Sequence, residues 1–217
     1  MTALLQFWLA HRQELATLVG QHVLLVAIST AVAVALGVPL GIFAARRPRL
    51  AAPLVGVANA VQTVPSLAMF GFLLPVPLVG GVGARAALVV LVLYALLPIV
   101  RSTIVGMAGV DPSVREAGVA MGMTARQLLR QVELPLALPA IVAGLRIATV
   151  TTVGLVMVTA VIGEGGLGQL MLRGFNFRNT TAVYVGAIMT VLLAVSLDLV
   201  VVTIGRIATP WARRSQT

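Results

Sequence analysis

The side chains that could do chemistry in this sequence are few and lie in apolar surroundings. Arg146 stands eleven residues past Pro135 in a run with no other charge; near a bilayer centre an arginine costs about 2.5–3.5 kcal/mol, so it must face protein, water or a counter-charge. Asp198 is the available partner, and Thr149 and Thr152 continue the Arg146 face at helical spacing. An ion pair with Asp198 and a direct substrate contact are both open readings. Asn59, Gln62 and Ser66, at i, i+3 and i+7, share one helical face. Pro65 cannot donate to the carbonyl of Val61, which predicts a kink beside that face. The face either lines a pore with a hinge or packs by hydrogen bonds against a neighbouring helix.

The run Gly163-Glu164-Gly165-Gly166-Leu167-Gly168 fits the G-x-G-x-x-G pattern of dinucleotide folds. It follows an apolar helix rather than a strand and has no acidic residue about 20 positions later, so it does not predict a nucleotide site. It reads as a turn after which a short segment, Gln169–Arg173, runs along the outer surface or back inward. Glu164 would then place a carboxylate on the outer side.

Other chemistry is excluded more firmly. The chain has no lysine, so a Walker A motif, which ends in Lys-Ser/Thr, is impossible. It has no cysteine, hence no disulfide or thiolate site. His11 and His22 are expected at a membrane interface rather than on a metal, and there is no Ser/His/Asp constellation, so neither enzyme activity nor a cofactor is expected.

The elements that must hold these residues are membrane helices. Of 217 residues, 59% are hydrophobic and 10% charged, and the mean hydropathy is +1.06, far from the roughly one-quarter charged residues of soluble domains. About 20 apolar residues make a span, which gives five: within Leu15–Ala45, within Leu50–Ala84, Arg85–Gly106, Pro135 to about Ile162, and Thr181–Gly205. The whole of 1–217 is one membrane domain, an all-α polytopic bundle, with Met1–Leu15 as an outer amphipathic segment. Gly37-x-x-x-Gly41 permits close helix packing, and Trp8 and Trp211 suit interfaces.

The net charge of +9 comes entirely from arginine and reflects the positive-inside rule rather than nucleic-acid binding. With the N-terminus outside, Arg46, Arg47, Arg49, Arg115, Arg126, Arg130, Arg206, Arg213 and Arg214 are cytoplasmic, against Arg12, Arg85, Arg173 and Arg178 outside. Arg101 is expected to snorkel to the cytoplasmic surface.

The interval 107–134 is too polar to span. Asp111 is an N-cap with Pro112 behind it, Gly122-Met123 breaks the run, and Thr124-x-x-Gln127 is a capping box opening a second helix, Ala125–Leu134, before Pro135 begins the next span. Val119, Met121, Met123, Leu128 and Leu129 are expected to be exposed, as in a helix-turn-helix that docks in a groove on a soluble partner.

Glu116-Ala117-Gly118, three residues, Gly122, nine residues, then Val132-Glu133-Leu134-Pro135 resembles the EAA loop of binding-protein-dependent ABC importer permeases. The chain has Gly118 where Ala is common in that family, and apolar Val119 where osmoprotectant members often carry a basic residue. Val61–Leu67, Pro98–Thr103, Val132–Pro139 and Gly163–Gly168 further resemble glycine betaine, carnitine and choline permeases, which often have Ala in place of Glu164; the resemblance puts this carboxylate near an outer gate, where a cationic substrate could meet it.

The resemblance implies a methionine-permease-like fold in a bacterial inner membrane. It also implies a loop that seats in a separate ATPase subunit, a second permease subunit, identical or paralogous, and an extracytoplasmic substrate-binding protein. Aromatics are only 5% of the chain, so a cation–π cage for a quaternary ammonium is expected on the binding protein. An amino-acid permease, for methionine for example, and a scaffold without a pathway are the alternatives.

Overall fold

In a computed structural model, which describes residues 2–77, 79, 81 and 83–213, the chain is built from helices. They are α1 (Thr2–Ala10), α2 (Arg12–Ala45), α3 (Pro48–Thr63), α4 (Ser66–Leu73), α5 (Ala84–Ala108), α6 (Pro112–Ala120), α7 (Ala125–Leu128), α8 (Leu134–Thr159), α9 (Leu167–Asn176) and α10 (Thr180–Ala208). A π turn, Leu129–Glu133, joins α7 to α8, and 3-10 turns follow α8 and α10. Of the tail arginines, Arg214 lies outside the described residues.

The helices α2, α5, α8 and α10 are each long and apolar enough to cross a bilayer, and α3 with α4 forms a fifth, broken span. The second apolar run therefore differs from the single kinked helix expected: α3 and α4 meet at 96°. Val64 and Pro65 are both extended, at ψ 127° and 134°, since a residue before proline is pushed out of the helical region. Ser66 consequently sits on a different helix from Asn59 and Gln62, and the i, i+3, i+7 face ends at Gln62.

Helix α5 packs between α2 and α8, and glycines set how closely. A Cβ on Gly41 would lie 2.5 Å from Thr103 Cβ and 3.0 Å from the carbonyl of Val100. A Cβ on Gly37 would meet Ile99 at 2.9 Å, one on Gly106 the carbonyl of Ala137 at 2.8 Å, and one on Gly144 the carbonyl of Pro98 at 2.7 Å. Lipid supplies no hydrophobic drive between helices, so association depends on such close approach. The Gly37/Gly41 pair works as expected, although Pro39 lies inside it.

The remaining elements hang on this core. Helices α9 and α10 pack on α8 around Leu15, Leu18, Leu167, Leu170, Ala182 and Val185, with Leu4 and Phe7 of α1 against the same cluster. Helix α1 is not amphipathic as expected: its other face exposes Leu5, Trp8 and Leu9. His11 stacks on Phe7 with ring centroids 4.2 Å apart and stays exposed.

His22 is a clear departure from the interfacial position expected, being fully buried. Its Nε2–H donates to the Val153 carbonyl (3.1 Å) and its Nδ1 accepts from the Leu167 N–H (3.3 Å), so both nitrogens of a neutral ring are satisfied.

Gly144 and Gly154 lie on one helix in opposite settings, since a Cβ at Gly154 meets nothing within 4 Å. Gly154→Ala should raise the thermal midpoint slightly, by up to about 1 kcal/mol of helix propensity. Gly144→Ala should lower it through overpacking worth about 1–3 kcal/mol. Fluorescence-detected size-exclusion after heating in detergent would separate the two; equal midpoints would show that the α5–α8 contact is not limiting.

Candidate functional site

At one end of the bundle, α6 and α7 form a helix-turn-helix assembled by local capping. Asp111 accepts from the Ser113 N–H at 2.8 Å, and hydrogen bonds from Ser113 hold its carboxyl below the ordinary range. Helix α6 ends in a Schellman motif: Met123 N–H reaches the Gly118 carbonyl and Gly122 N–H that of Val119, with Gly122 at φ +80°. The expected capping box is present, Thr124 N–H donating to Gln127 Oε1 at 2.8 Å and Gln127 N–H to Thr124 Oγ1 at 3.4 Å.

The second helix of the loop does not stop at Leu134. It passes through the π turn directly into α8, so Pro135 lies inside the first turn of a continuous rod rather than after a break. A widened turn tolerates a proline whose N–H is missing.

Glu116, Ala117 and Gly122 are exposed on this loop, with Val119 and Met121 beside them. Gly118 is buried, and a Cβ there would touch Leu128 Cδ1 at 2.6 Å. Met123, Leu128 and Leu129, expected to be exposed, are half-buried beneath the loop, and Leu129 joins Leu134 against Met107, Ala137 and Ile141. The exposed apolar face of the loop is thus narrower than the sequence implied.

The strongest tie in this region went unread in the sequence. Glu133, 6% exposed, accepts from Arg46 Nη2 at 2.7 Å. Its other oxygen lies 3.1 Å from Arg115 Nε, an ion pair off the N–H axis. Arg115 also donates to the Met107 carbonyl. One carboxylate therefore joins the ends of α2 and α5, helix α6 and the start of α8. The signal was present in Val132-Glu133-Leu134-Pro135, but the partners lie 87 residues away for Arg46 and on another element for Arg115.

The second feature is a groove of about 700 Å³ between α3, α5 and α8. Gln62, Tyr94, Arg101, Ser102 and Thr151 supply its polar groups. Gln62 donates to the Tyr94 carbonyl at 3.1 Å, and the Tyr94 hydroxyl donates to the Val64 carbonyl, pinning the α3–α4 break. Arg101, seven residues inside the end of α5, is exposed in this groove.

Of the other residues singled out, Asn59 is exposed on α3 and Ser66 half-buried at the start of α4; neither lines the groove. Arg146 makes a bidentate pair with Asp198, Nε to Oδ1 and Nη2 to Oδ2 both at 2.8 Å, which joins α8 to α10 away from the groove. Thr149 and Thr152 do not extend that polar face: both are buried and donate to the carbonyls of Leu145 and Ala148.

The glycine-rich turn closes α8 with a second Schellman pair, Glu164 N–H to Thr159 and Gly163 N–H to Ala160. Gly166 N–H donates to Gln21 and caps α9, whose second residue is Gly168; an Arg173–Glu14 ion pair ties α9 to α2. Gly165 lies against Gln21. The Glu164 carboxylate stands over Gly83, 3.6 Å from where a Cβ would be.

Glu133→Ala leaves two arginines facing each other and should cost about 1–3 kcal/mol, read as a lower thermal midpoint, with Glu133→Asp recovering part; an unchanged midpoint would remove the tie. Arg146→Ala strands Asp198, so expression of membrane-inserted protein should fall and the added Asp198→Asn change should restore part of it. A double variant no better than Arg146→Ala would show the pair is not what stabilises this region.

Residues 37–214 match the family model described as binding-protein-dependent transport system inner membrane component. The chain is 43% identical over 196 residues to the osmoprotectant import permease protein OsmW of Salmonella typhimurium, covering 89% of this chain and 91% of that one. It is 44% identical over 192 residues to the choline transport system permease protein OpuBD of Bacillus subtilis, covering 88% and 84%. The glycine betaine/carnitine/choline transport system permease protein OpuCD of the same organism is 44% identical over 191 residues, covering 88% and 82%. An inward-facing structure of the MetNI methionine ABC transporter superposes with a TM-score of 0.82 at 25% identity, covering 92% of this chain and 98% of that one. The chain thus belongs to the binding-protein-dependent transport system inner membrane components, as a permease of an ABC importer that is not itself catalytic.

Proposed function

We propose that this permease carries a quaternary ammonium osmoprotectant of the glycine betaine, carnitine or choline type across a bacterial inner membrane. Identity of 43–44% to permeases named for such substrates supports the substrate class. The likeness to the methionine transporter concerns the fold, at 25% identity.

The mechanism follows from the observation that carries it: the exposed α6–α7 loop is fastened to the core through buried Glu133. A separate ATPase subunit seats the loop against Glu116, Ala117, Val119 and Met121. Movement of the loop on ATP-driven closure is then delivered to α2, α5 and α8 together, because Arg46, Arg115 and the π turn meet at one carboxylate. A second permease subunit faces the α3–α5–α8 groove, and the pathway runs between the two, with Gln62 on its wall. A binding protein loads it from outside. The Arg146–Asp198 pair is structural in this reading, and Glu164 lies at the outer end.

The same reading puts the N-terminus outside and the loop in the cytoplasm. Since the chain has no cysteine, single probes are clean: Met121→Cys should react with a membrane-impermeant maleimide only in inverted vesicles, and Phe177→Cys only in intact spheroplasts. The opposite pattern would overturn the orientation. In cells lacking other uptake systems, the chain with its ATPase and binding protein should confer uptake of labelled glycine betaine, carnitine or choline. Uptake of methionine and none of these would overturn the substrate class.

A further inference from the structure

The glycine-rich run that is not a nucleotide site has a task it shares with α2. Helix α9 opens on Gly166, which has no side chain to cap the first N–H groups of the helix. The caps come from another helix: Gly166 N–H donates to Gln21 Oε1 at 3.1 Å and Leu167 N–H to His22 Nδ1 at 3.3 Å. His22 in turn donates from Nε2 to the Val153 carbonyl at 3.1 Å, so one buried ring joins α2, α8 and α9. Glu14, Leu18, Gln21 and His22 recur at helical spacing on one face of α2. Leu18 shares a buried cluster with Leu167 and Leu170, and Glu14 pairs with Arg173 further along α9.

The glycines make room for these contacts. A Cβ on Gly165 would run into Gln21 Oε1 and one on Gly168 into the Met157 carbonyl, while one on Gly166 would stand 3.2 Å from His22 Nδ1. The run is spaced for the approach of α2 and α8, not of a phosphate. The other end of α2 is tied as well: Arg46, its C-cap, meets buried Glu133, roughly 36 Å along the axis from His22 at 1.5 Å per residue. Between the two ties α2 passes through Pro39 as one helix, and Gly37 and Gly41 seat that stretch on Ile99 and Thr103 of α5.

We infer that α2 is a strut across the membrane and that Gln21 and His22 are positioning residues that clamp α9 to it, so that a displacement entering at Glu133 reaches the outer surface at α9. This rests on the α6–α7 loop being the seat of the ATPase and on the orientation proposed above. Helix α9 has ten residues, a length at which a helix does not hold by itself, so its place is set by what grips it. Two hydrogen bonds at its start and an ion pair further along come from α2. The state of the ATPase thereby sets the outer face that a binding protein meets, through a helix that lines no part of the α3–α5–α8 groove.

The test needs no substrate. The permease–ATPase complex in nanodiscs is followed by hydrogen–deuterium exchange, with and without ATP trapped by vanadate, in peptides covering 107–128 and 163–178. In wild type both peptides should respond to trapped nucleotide. In His22→Leu the 163–178 peptide should exchange faster and lose its response, while 107–128 keeps its own. A clamp that served local packing alone would speed exchange in 163–178 and leave its response intact, which would overturn the inference. Rescue is covalent: a Cβ on Gly165 would stand 3.3 Å from Gln21 Cβ, close to the spacing of roughly 3.5–4.5 Å across a disulfide. Gln21→Cys with Gly165→Cys should therefore cross-link, and in the His22→Leu chain oxidation should restore the response of 163–178 and reduction abolish it. Failure to cross-link, or a cross-link without restoration, would overturn the inference. Co-purification of the ATPase checks assembly. If His22→Leu does not assemble, the cysteine pair is placed in the chain with His22 intact, where the response of 163–178 should survive oxidation; its loss on oxidation would show that α9 moves against α2 and that the strut is wrong. The two levels separate in wild type. A 107–128 peptide indifferent to nucleotide removes the ATPase seat and the strut with it, whereas a response at 107–128 and none at 163–178 leaves the seat standing and removes the strut alone.

Discussion

Everything in this fold depends on how closely α5 can lie against α2 and α8. In lipid, apolar side chains gain little by leaving their surroundings for one another, so contact must come from dispersion at short range. The glycines at 37, 41, 106 and 144 provide it by removing the Cβ atoms that would hold the backbones apart. The resulting three-helix core carries its polar groups internally: Ser29, Thr103 and Thr152 return their hydroxyl hydrogens to carbonyls of their own helices. Such a core behaves as one body, and elements attached to it share its displacement.

The Glu133 cluster turns that rigidity into a connection. A carboxylate buried with one cation would tie two elements; here two guanidiniums and a backbone carbonyl tie four. The arginines remain partly exposed, 43% and 33% for their side chains,, so the cluster avoids the full desolvation of a wholly buried ion triad. It is also placed where α7 enters α8 without a break, so the loop and a core helix are one covalent rod. A force on the loop thus has two routes inward, one along that rod and one through Glu133 to α2 and α5.

What could be read in advance divides by range. Capping at Asp111 and Thr124, the stop at Gly122 and the turn at Gly163 are decided within a few residues, and the structure agrees with each. The Arg146–Asp198 pair was legible at long range because a charge within an apolar run has very few possible partners. The break at Pro65 was legible as a kink. Its 96° extent was not, because it depends on the Tyr94 hydroxyl reaching Val64 from another helix. His22 was misplaced because polarity argues for an interface, whereas a neutral imidazole with a carbonyl on one side and an N–H on the other belongs inside. Glu133 was hidden because its partners are distant in sequence and its own segment looked like solvent-exposed loop.

The two outer surfaces of the bundle differ in a way that fixes what each can meet. Helix α10 turns Ile188, Val191, Leu192, Val195 and Leu199 outward, a surface that costs nothing against acyl chains. The α3–α5–α8 side presents Gln62, Arg101, Ser102 and Thr151, and hydrocarbon there would strand an unpaired guanidinium. At Arg101 that side needs water, a headgroup or protein, and it is the side on which the proposed second permease stands. The 96° turn at Pro65 shapes that same side. It breaks a span that would otherwise run on as one apolar helix, and it leaves α3, through Gln62, on the groove while α4 packs on α5 outside it.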